Sequence, residues 1–250
     1  MNVDWYSIGQ IVAMLAAMVI TVFWARHYGI SKLKALLITV VSDVLTFAGI
    51  LLLTWIESGF KSFGAQNIVR VYAFLVPIVL LEAKVFRVDF IRCLEFQSIA
   101  MPLCYGLGHF ACLTRMCCFG FHYVEGSAGY AVAHALTGTD QLPMQIFESV
   151  SALLLYVIIV IAAAKTHYKP KGYLFAFFQI GFGFTRFFWE FLRDNDKLIV
   201  FGPMKGAVDA TGRQAMWGIS NLAMWAVATF LAGVVLAVGL AIYHKKAKKA

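Results

Sequence analysis

Seven apolar stretches, each long enough to cross a lipid bilayer, limit what this chain can fold into. They fall at about 8–25, 35–56, 68–84, 97–117, 147–164, 173–192 and 216–242. A span of roughly 20 apolar residues is expected to be helical in a bilayer, because lipid offers no partners for unpaired backbone groups. The stretches also lack the alternation that is typical of barrel strands. The sequence therefore predicts an all-α polytopic membrane protein with about seven transmembrane helices.

The basic residues between these stretches predict the orientation. One alternating set of connections and the C-terminal tail contain Arg26, Lys32, Lys34, Lys84, Arg87, Arg92, Lys165, Lys169, Lys171, Lys245, Lys246, Lys248 and Lys249. The other set contains Lys61, Lys197, Lys205 and Arg213. Since basic loops favour the cytoplasmic side, the N-terminus is expected outside and the C-terminus in the cytoplasm. The net charge of +8 largely reflects this bias, which indicates anionic lipid headgroups and no nucleic acid as partner.

The chain shows no linker, repeat or low-complexity segment that would divide it. We expect a single membrane domain over 1–250, with a small external cap at 118–145 that is polar and rich in glycine. The first seven residues, MNVDWYS, lack the basic residues of a cleavable signal, so we expect the first helix to be retained.

The stretch FTRFFWEFLRDND, residues 184–196, places charges inside an aromatic run. Arg186, Glu190 and Arg193 are four and three residues apart, so they share one face of a helix. Charges at membrane depth are costly and usually face the interior of a helix bundle. A structural ion pair between Arg186 and Glu190 is one interpretation. The other is a phosphate site, because two guanidinium groups have more hydrogen-bond donors than one carboxylate can accept, and the remaining paired donors suit a phosphate.

Two further stretches hold polar residues close to apolar spans. In LPMQIFES, residues 142–149, Gln145 and Glu148 are three residues apart and face one direction. They are either an N-terminal cap of a helix or part of a site. The stretch 107–126 combines His109, Cys112, Arg115, Cys117, Cys118 and His122. The cysteines are either small buried hydrophobic residues, a disulfide, or soft ligands for a metal, although no standard zinc spacing is present.

Taken in order, these three stretches resemble the prolipoprotein diacylglyceryl transferase family. GFGFTRFFWEFLRDND is similar to the family's late-helix motif, with Phe182 at the position of a Tyr, followed by Gly183, Arg186, Glu190 and Arg193. LPMQIFE is similar to the family's His-Pro-Ser-Gln-Leu-Tyr-Glu and retains Gln145 and Glu148.

The third similarity lies in ACLTRMCCFG, residues 111–120. It resembles a cysteine-containing variant of the family signature that ends at Gly120. His109 then stands where the family has an Arg, and either His109 or Arg115 supplies the charge.

The resemblance implies a transferase of the bacterial inner membrane. It would move a diacylglyceryl group from phosphatidylglycerol to the lipobox cysteine of a prolipoprotein, forming a thioether and releasing glycerol phosphate. No cofactor and no metal are implied, and the partners are phosphatidylglycerol, the lipobox peptide and membrane lipids. The implied catalytic residues are His109, Arg186 and Glu190, and the implied substrate-binding residues are Arg193, Gln145, Glu148, Arg115, Gly120, Phe182 and Gly183.

Three alternatives remain open from the sequence. The first is a relative that binds phospholipid without this transfer. The second is a membrane thiol or metal protein that uses Cys112, Cys117 and Cys118 with His109 and His122. The third is a structural helix bundle whose ion pairs bind no lipid.

Overall fold

A computed structural model of the protein describes residues 4–61, 68–193, 199–209 and 211–248. In this part of the chain the helices are α1 Trp5–Ala25, α2 Lys32–Glu57, α3 Val69–Tyr72, α4 Leu75–Phe86, α5 Phe90–Phe110, α6 Ala128–Thr137, α7 Met144–Lys165, α8 Tyr173–Phe191 and α9 Asn221–Ala247. The strands are β1 His122–Tyr123, β2 Ile199–Val208 and β3 Gln214–Ile219. The expectations for Lys197, Lys249 and residues 194–196 lie outside the described residues.

Four helices of the described chain are long and apolar enough to cross a membrane. They are α1 with the turn that follows it, α2, α7 and α9. The chain is therefore a multi-pass membrane protein. Helices α5 and α8 have 21 and 19 residues but carry more polar side chains, many of them buried. The predicted third span is divided into α3 and α4.

The division between α3 and α4 has a local cause. Pro77 lies in the first turn of α4, where its missing N–H costs nothing. A continuous helix would need that N–H to reach the carbonyl of Ala73, so the chain begins a new helix instead. Val71 and Tyr72 of α3 are buried, which keeps the short helix packed against the bundle.

The predicted fourth span was placed seven residues too late. It was expected at 97–117, whereas α5 covers Phe90–Phe110. Asp89 begins the helix, since its carboxylate accepts a hydrogen bond from the Arg92 N–H at 3.0 Å. The hydropathy pattern excluded this start because it contains Arg92 and Glu95. Glu95 is nevertheless buried and accepts a hydrogen bond from the Lys171 N–H at 3.2 Å, just before α8.

A small antiparallel sheet in the order β1-β2-β3 covers one end of the bundle. The prediction of an all-α chain omitted it, and the last predicted span, 216–242, wrongly included part of β3. The segment predicted as a cap, 118–145, supplies β1 and α6, while residues 199–219 supply the other two strands. At the turn between β2 and β3, Asp209 accepts hydrogen bonds from Thr211 and Arg213, and these bonds lower its pKa.

Helices α8 and α9 pack closely through glycine. A Cβ atom on Gly183 would lie 2.5 Å from the backbone nitrogen of Phe230, and one on Gly233 would lie 2.8 Å from that of Ile180. Only hydrogen side chains allow this approach. The contact fixes α8, the helix that carries Arg186 and Glu190, against residues 226–233 of α9.

Candidate functional site

Glu148 lies at the centre of a buried polar cluster at the end of the bundle that carries the sheet. Its side chain is 1% exposed. Oε1 accepts hydrogen bonds from Arg186 Nη1 at 2.5 Å and from Arg193 Nε at 2.8 Å. Glu148 is on the first turns of α7, and the two arginines are near the end of α8 and just after it. The carboxylate therefore joins two helices through both guanidinium groups.

A second carboxylate lies on the other side of Arg186. Arg186 Nη2 is 2.7 Å from Oε2 of Glu190, one turn further along α8. The hydroxyl of Ser220, which caps α9, donates to Oε1 of Glu190 at 3.0 Å. The sequence placed two guanidinium groups around one carboxylate, but the structure places two carboxylates beside them. The four formal charges therefore sum to zero.

The remaining oxygen of Glu148 faces α5. Oε2 accepts from the Tyr105 hydroxyl at 2.5 Å and is 3.1 Å from Nε2 of His109. The rings of Tyr105 and His109 are stacked with centroids 5.1 Å apart, because the two residues are one helical turn apart. Nε2 of His109 is also 3.4 Å from Nη2 of Arg193. The cluster thus joins α5, α7 and α8.

Gln145 and Gly120 attach the loop after α5 to this cluster. Gln145 is fully buried, and its amide donates to the backbone carbonyl of Cys117. The Gly120 N–H donates to the Leu142 carbonyl at 2.8 Å, and Gly120 forms an isolated β-bridge with Arg193. A Cβ atom at Gly120 would lie 2.3 Å from the Leu192 carbonyl oxygen. The loop is therefore held between the start of α7 and the end of α8.

The other residues named from the sequence lie at the margin of the cluster or away from it. Phe182 is buried and packs against Tyr105, with ring centroids 4.9 Å apart. Gly183 faces α9. Arg115 is exposed, and its guanidinium carbon lies 5.1 Å above the ring of Tyr6. The structure therefore brings His109, and not Arg115, to the two arginines.

The thiols adjoin the cluster through His109. The sulfur atoms of Cys112 and Cys118 and a ring nitrogen of His109 all lie within 4.8 Å of one another. His122 belongs to a different contact, since its Nδ1 is 2.9 Å from the carboxylate of Asp140. The sequence grouped both histidines with the cysteines, and the structure brings only His109 to them.

The model of the prolipoprotein diacylglyceryl transferase family matches residues 1–243. The chain belongs to this family. No curated protein matches the sequence. Members of the family are transferases that carry a diacylglyceryl group to prolipoproteins, which agrees with the resemblance found in the three motif stretches.

Two cavities of very different size lie in this family member. A cavity of about 10 Å³, enough for one water molecule, is lined by Tyr105, Glu148, Phe182 and Arg186 among others. A larger apolar cavity of about 610 Å³ lies between α4, the start of α5 and the second half of α9. No residue of the arginine and glutamate cluster lines it. Because Glu148 and Arg186 are only 1% and 2% exposed and contact each other directly, a lipid headgroup could reach them only if these contacts loosened.

Two members of the cluster were missed in the sequence. Tyr105 lies in an apolar run and carries no charge, yet it is one turn before His109, and this spacing could have identified it. Ser220 has the sequence pattern of a helix cap, which concealed its second contact with Glu190.

Proposed function

We propose that this family member transfers a diacylglyceryl group from phosphatidylglycerol to the thiol of a lipobox cysteine, at the outer face of the bacterial inner membrane. The observation that carries the proposal is the buried cluster of Arg186, Arg193, Glu148 and Glu190. Such a group of charges is costly at membrane depth and is retained in membrane proteins mainly where it serves a site.

The proposed topology has seven membrane crossings, formed by α1, α2, α3 together with α4, α5, α7, α8 and α9. It is supported by helix lengths close to the thickness of a bilayer. The distribution of basic residues supports an external N-terminus and a cytoplasmic C-terminus. With this orientation the cluster and the sheet lie at the outer face, where the proposed enzyme would modify the prolipoprotein.

The arginines would bind the phosphate of the lipid. Nε of Arg186 has no hydrogen-bond partner among the described residues, although the side chain is 2% exposed. A buried donor without a partner costs about 1–3 kcal/mol, and a phosphate oxygen would satisfy it. Because Glu148 and Glu190 already neutralise both arginines, an incoming phosphate would compete with the carboxylates. Glu190 would keep Arg186 oriented during this exchange.

His109 would promote the loss of the thiol proton. The thiolate is the nucleophile in such a transfer, so the site must favour it over the thiol. The imidazole of His109 contacts Glu148 and Arg193, so it lies beside the proposed phosphate position. Gln145 and Gly120 would hold the adjacent loop in place for the peptide.

Once the thiol has lost its proton, the transfer breaks one C–O bond and forms one C–S bond. The cysteine sulfur attacks the glyceryl carbon that carries the phosphate ester, and the C–O bond to the phosphate breaks. The electron pair stays on the phosphate oxygen, and glycerol phosphate leaves. Its additional negative charge develops next to Arg186 and Arg193, which would stabilise the transition state more than the ground state.

The test is transfer of labelled diacylglycerol from phosphatidylglycerol to a lipobox peptide by purified protein. We expect Arg186→Ala to lower the rate by at least about 100-fold while the protein remains in the membrane, since it removes donors from the developing charge. Arg186→Lys should restore little, because Lys cannot form the same paired hydrogen bonds. Arg70→Ala is the matched control. Arg70 pairs with Glu57 at 2.8 Å, outside the cluster, and its loss should leave transfer nearly unchanged.

Full activity in Arg186→Ala would refute the phosphate site. No turnover in the wild type, with phosphatidylglycerol still co-purifying in a way that depends on Arg186, would identify a relative that binds phospholipid without transferring it.

A further inference from the structure

His109 lies beside two thiols, those of Cys112 and Cys118, that have no part in the proposed reaction. Cys112 is buried, while His109 and Cys118 are partly buried. Their ligand atoms all lie within 4.8 Å of one another, although they come from the end of α5, the 3-10 turn Ala111–Leu113 and the following loop. Two thiols and an imidazole are the side chains that zinc prefers.

The loop is folded back so that the thiols meet the histidine. Met116 and Cys118 have positive φ angles of 52° and 64°, a conformation that residues other than glycine rarely adopt. The Cys117 N–H and Sγ both donate to the carbonyl oxygen of Cys112, at 3.3 and 3.7 Å. Gln145 holds the carbonyl of Cys117 from the other side. The fold therefore maintains a strained backbone that places Cys118 beside Cys112.

The dimensions suit a zinc ion after a small contraction. Zn–S bonds of 2.3 Å place two sulfur ligands about 3.8 Å apart in a tetrahedron. With a Zn–N bond of about 2.0 Å the sulfur–nitrogen separation would be about 3.5 Å, so the three atoms would need to approach one another by at most about 1.3 Å. Nε2 of His109 is 3.1 Å from Oε2 of Glu148, so coordination through Nδ1 would keep this contact. A carboxylate behind a metal-bound histidine is the usual supporting arrangement, since it fixes the tautomer and the ring.

We propose that His109, Cys112 and Cys118 bind a zinc ion whose fourth coordination position takes the sulfur of the prolipoprotein cysteine. Three protein ligands and one open position are the pattern of catalytic zinc sites. The proposal rests on the function proposed above and specifies how its thiol substrate is activated.

Zinc would make the thiolate available without an oxidant or a further reactant. The cysteine thiol binds the ion and releases its proton to solvent, because a coordinated thiol is deprotonated. The bound sulfur then attacks the glyceryl carbon as described. The thioether that forms has no negative charge and is a weaker ligand, so the product leaves. His109 then acts on the thiol through the metal and does not take the proton itself.

The first experiment measures zinc in the full-length protein, purified without chelators or a metal-affinity column. We expect about one zinc ion per chain, lost in Cys112→Ser and in Cys118→Ser. Cys117→Ser is the matched control. It lies in the same loop, its side chain donates to a backbone carbonyl that serine can also reach, and it should retain the metal. Equal zinc content in all four proteins, or none in the wild type, would overturn the proposal.

The second experiment replaces zinc with cobalt(II), whose visible spectrum reports its ligands. The wild type should show thiolate-to-cobalt bands, and a lipobox peptide with cysteine should change them, whereas the same peptide with serine should not. Cobalt binding without a response to the cysteine peptide would overturn the assigned fourth position. A disulfide between Cys112 and Cys118 in the native protein would also overturn it.

These results separate the zinc proposal from the proposed function. Undiminished transfer by metal-free protein, and by Cys112→Ser and Cys118→Ser, would leave the transferase standing and refute the zinc site. Zinc binding that responds to the cysteine peptide, in a protein without diacylglyceryl transfer, would support the site and refute the donor reaction.

Discussion

At the scale of single residues, Glu148 determines how the polar cluster is organised. Its two oxygens contact one hydroxyl and one imidazole from α5 and two guanidinium groups from the end of α8 and the residues just after it. The sequence placed Arg186, Glu190 and Arg193 on one face of a helix, and Arg186 and Glu190 do pair there. It could not show that Glu148 reaches both arginines, because that contact depends on how α7 packs on α8.

We predict that Glu148→Gln destabilises the protein. The change leaves Arg186 and Arg193 buried with one fewer negative charge, and breaking a buried ion pair by removing one partner costs about 3–5 kcal/mol. Thermal unfolding in detergent should therefore begin at a clearly lower temperature than in the wild type.

Glu57→Gln provides the same chemical change in a more exposed ion pair. Glu57 is 25% exposed and pairs with Arg70, so its loss should cost about 1 kcal/mol or less. If both variants lowered the unfolding temperature equally, Glu148 would not be central to the stability of the cluster.

At the scale of elements, the sequence predicted helices well where apolar residues were continuous. The predicted spans 8–25, 35–56 and 147–164 lie within α1, α2 and α7. It misplaced α5, whose early turns contain the exposed Arg92 and the buried Glu95, which is hydrogen-bonded to Lys171 just before α8. It also missed the sheet, because β1 has two residues and pairs with a strand about 80 positions later in the chain. Long-range pairing of so short a strand leaves no local pattern.

The loop that ends at Gly120 has no room for an added methyl group. In Gly120→Ala, the new Cβ atom would overlap the Leu192 carbonyl oxygen, so the loop must move away from the end of α8. Arg193 is bridged to Gly120 and should move with it. A displacement of about 1 Å near reacting groups can lower a rate by about 100-fold, and we predict a loss of transfer on this scale.

Gly239→Ala adds the same atom where, beyond the neighbouring residues and the helix's own backbone, no atom lies within 4 Å. It should retain both activity and thermal stability. If Gly120→Ala behaved like this control, the loop would not be held between α7 and α8 in the way described.

At the scale of the whole molecule, the cluster draws on helix ends that lie far apart in the sequence. His109, Glu148, Arg186 and Ser220 are each within a few residues of a connection that carries part of the sheet. One end of the bundle therefore combines the charged cluster, the thiols and the cap. This arrangement requires α3 and α4 to cross the membrane as one unit, because α5 would otherwise begin on the wrong side.

The crossing by α3 and α4 can be tested with a reporter enzyme that is active only when its disulfides form outside the cytoplasm. We predict activity for fusions after Gly59 and Gly126, and none after Arg87, Lys169 or Lys248. The basic residues near the last three positions favour the cytoplasmic side. An active fusion after Arg87 would mean that α3 and α4 do not cross the membrane. If the fusions after Gly126 and Lys248 were both active or both inactive, the cap and the C-terminal tail would lie on the same side of the membrane. The proposed orientation, with the cluster outside and the basic tail in the cytoplasm, would then be wrong.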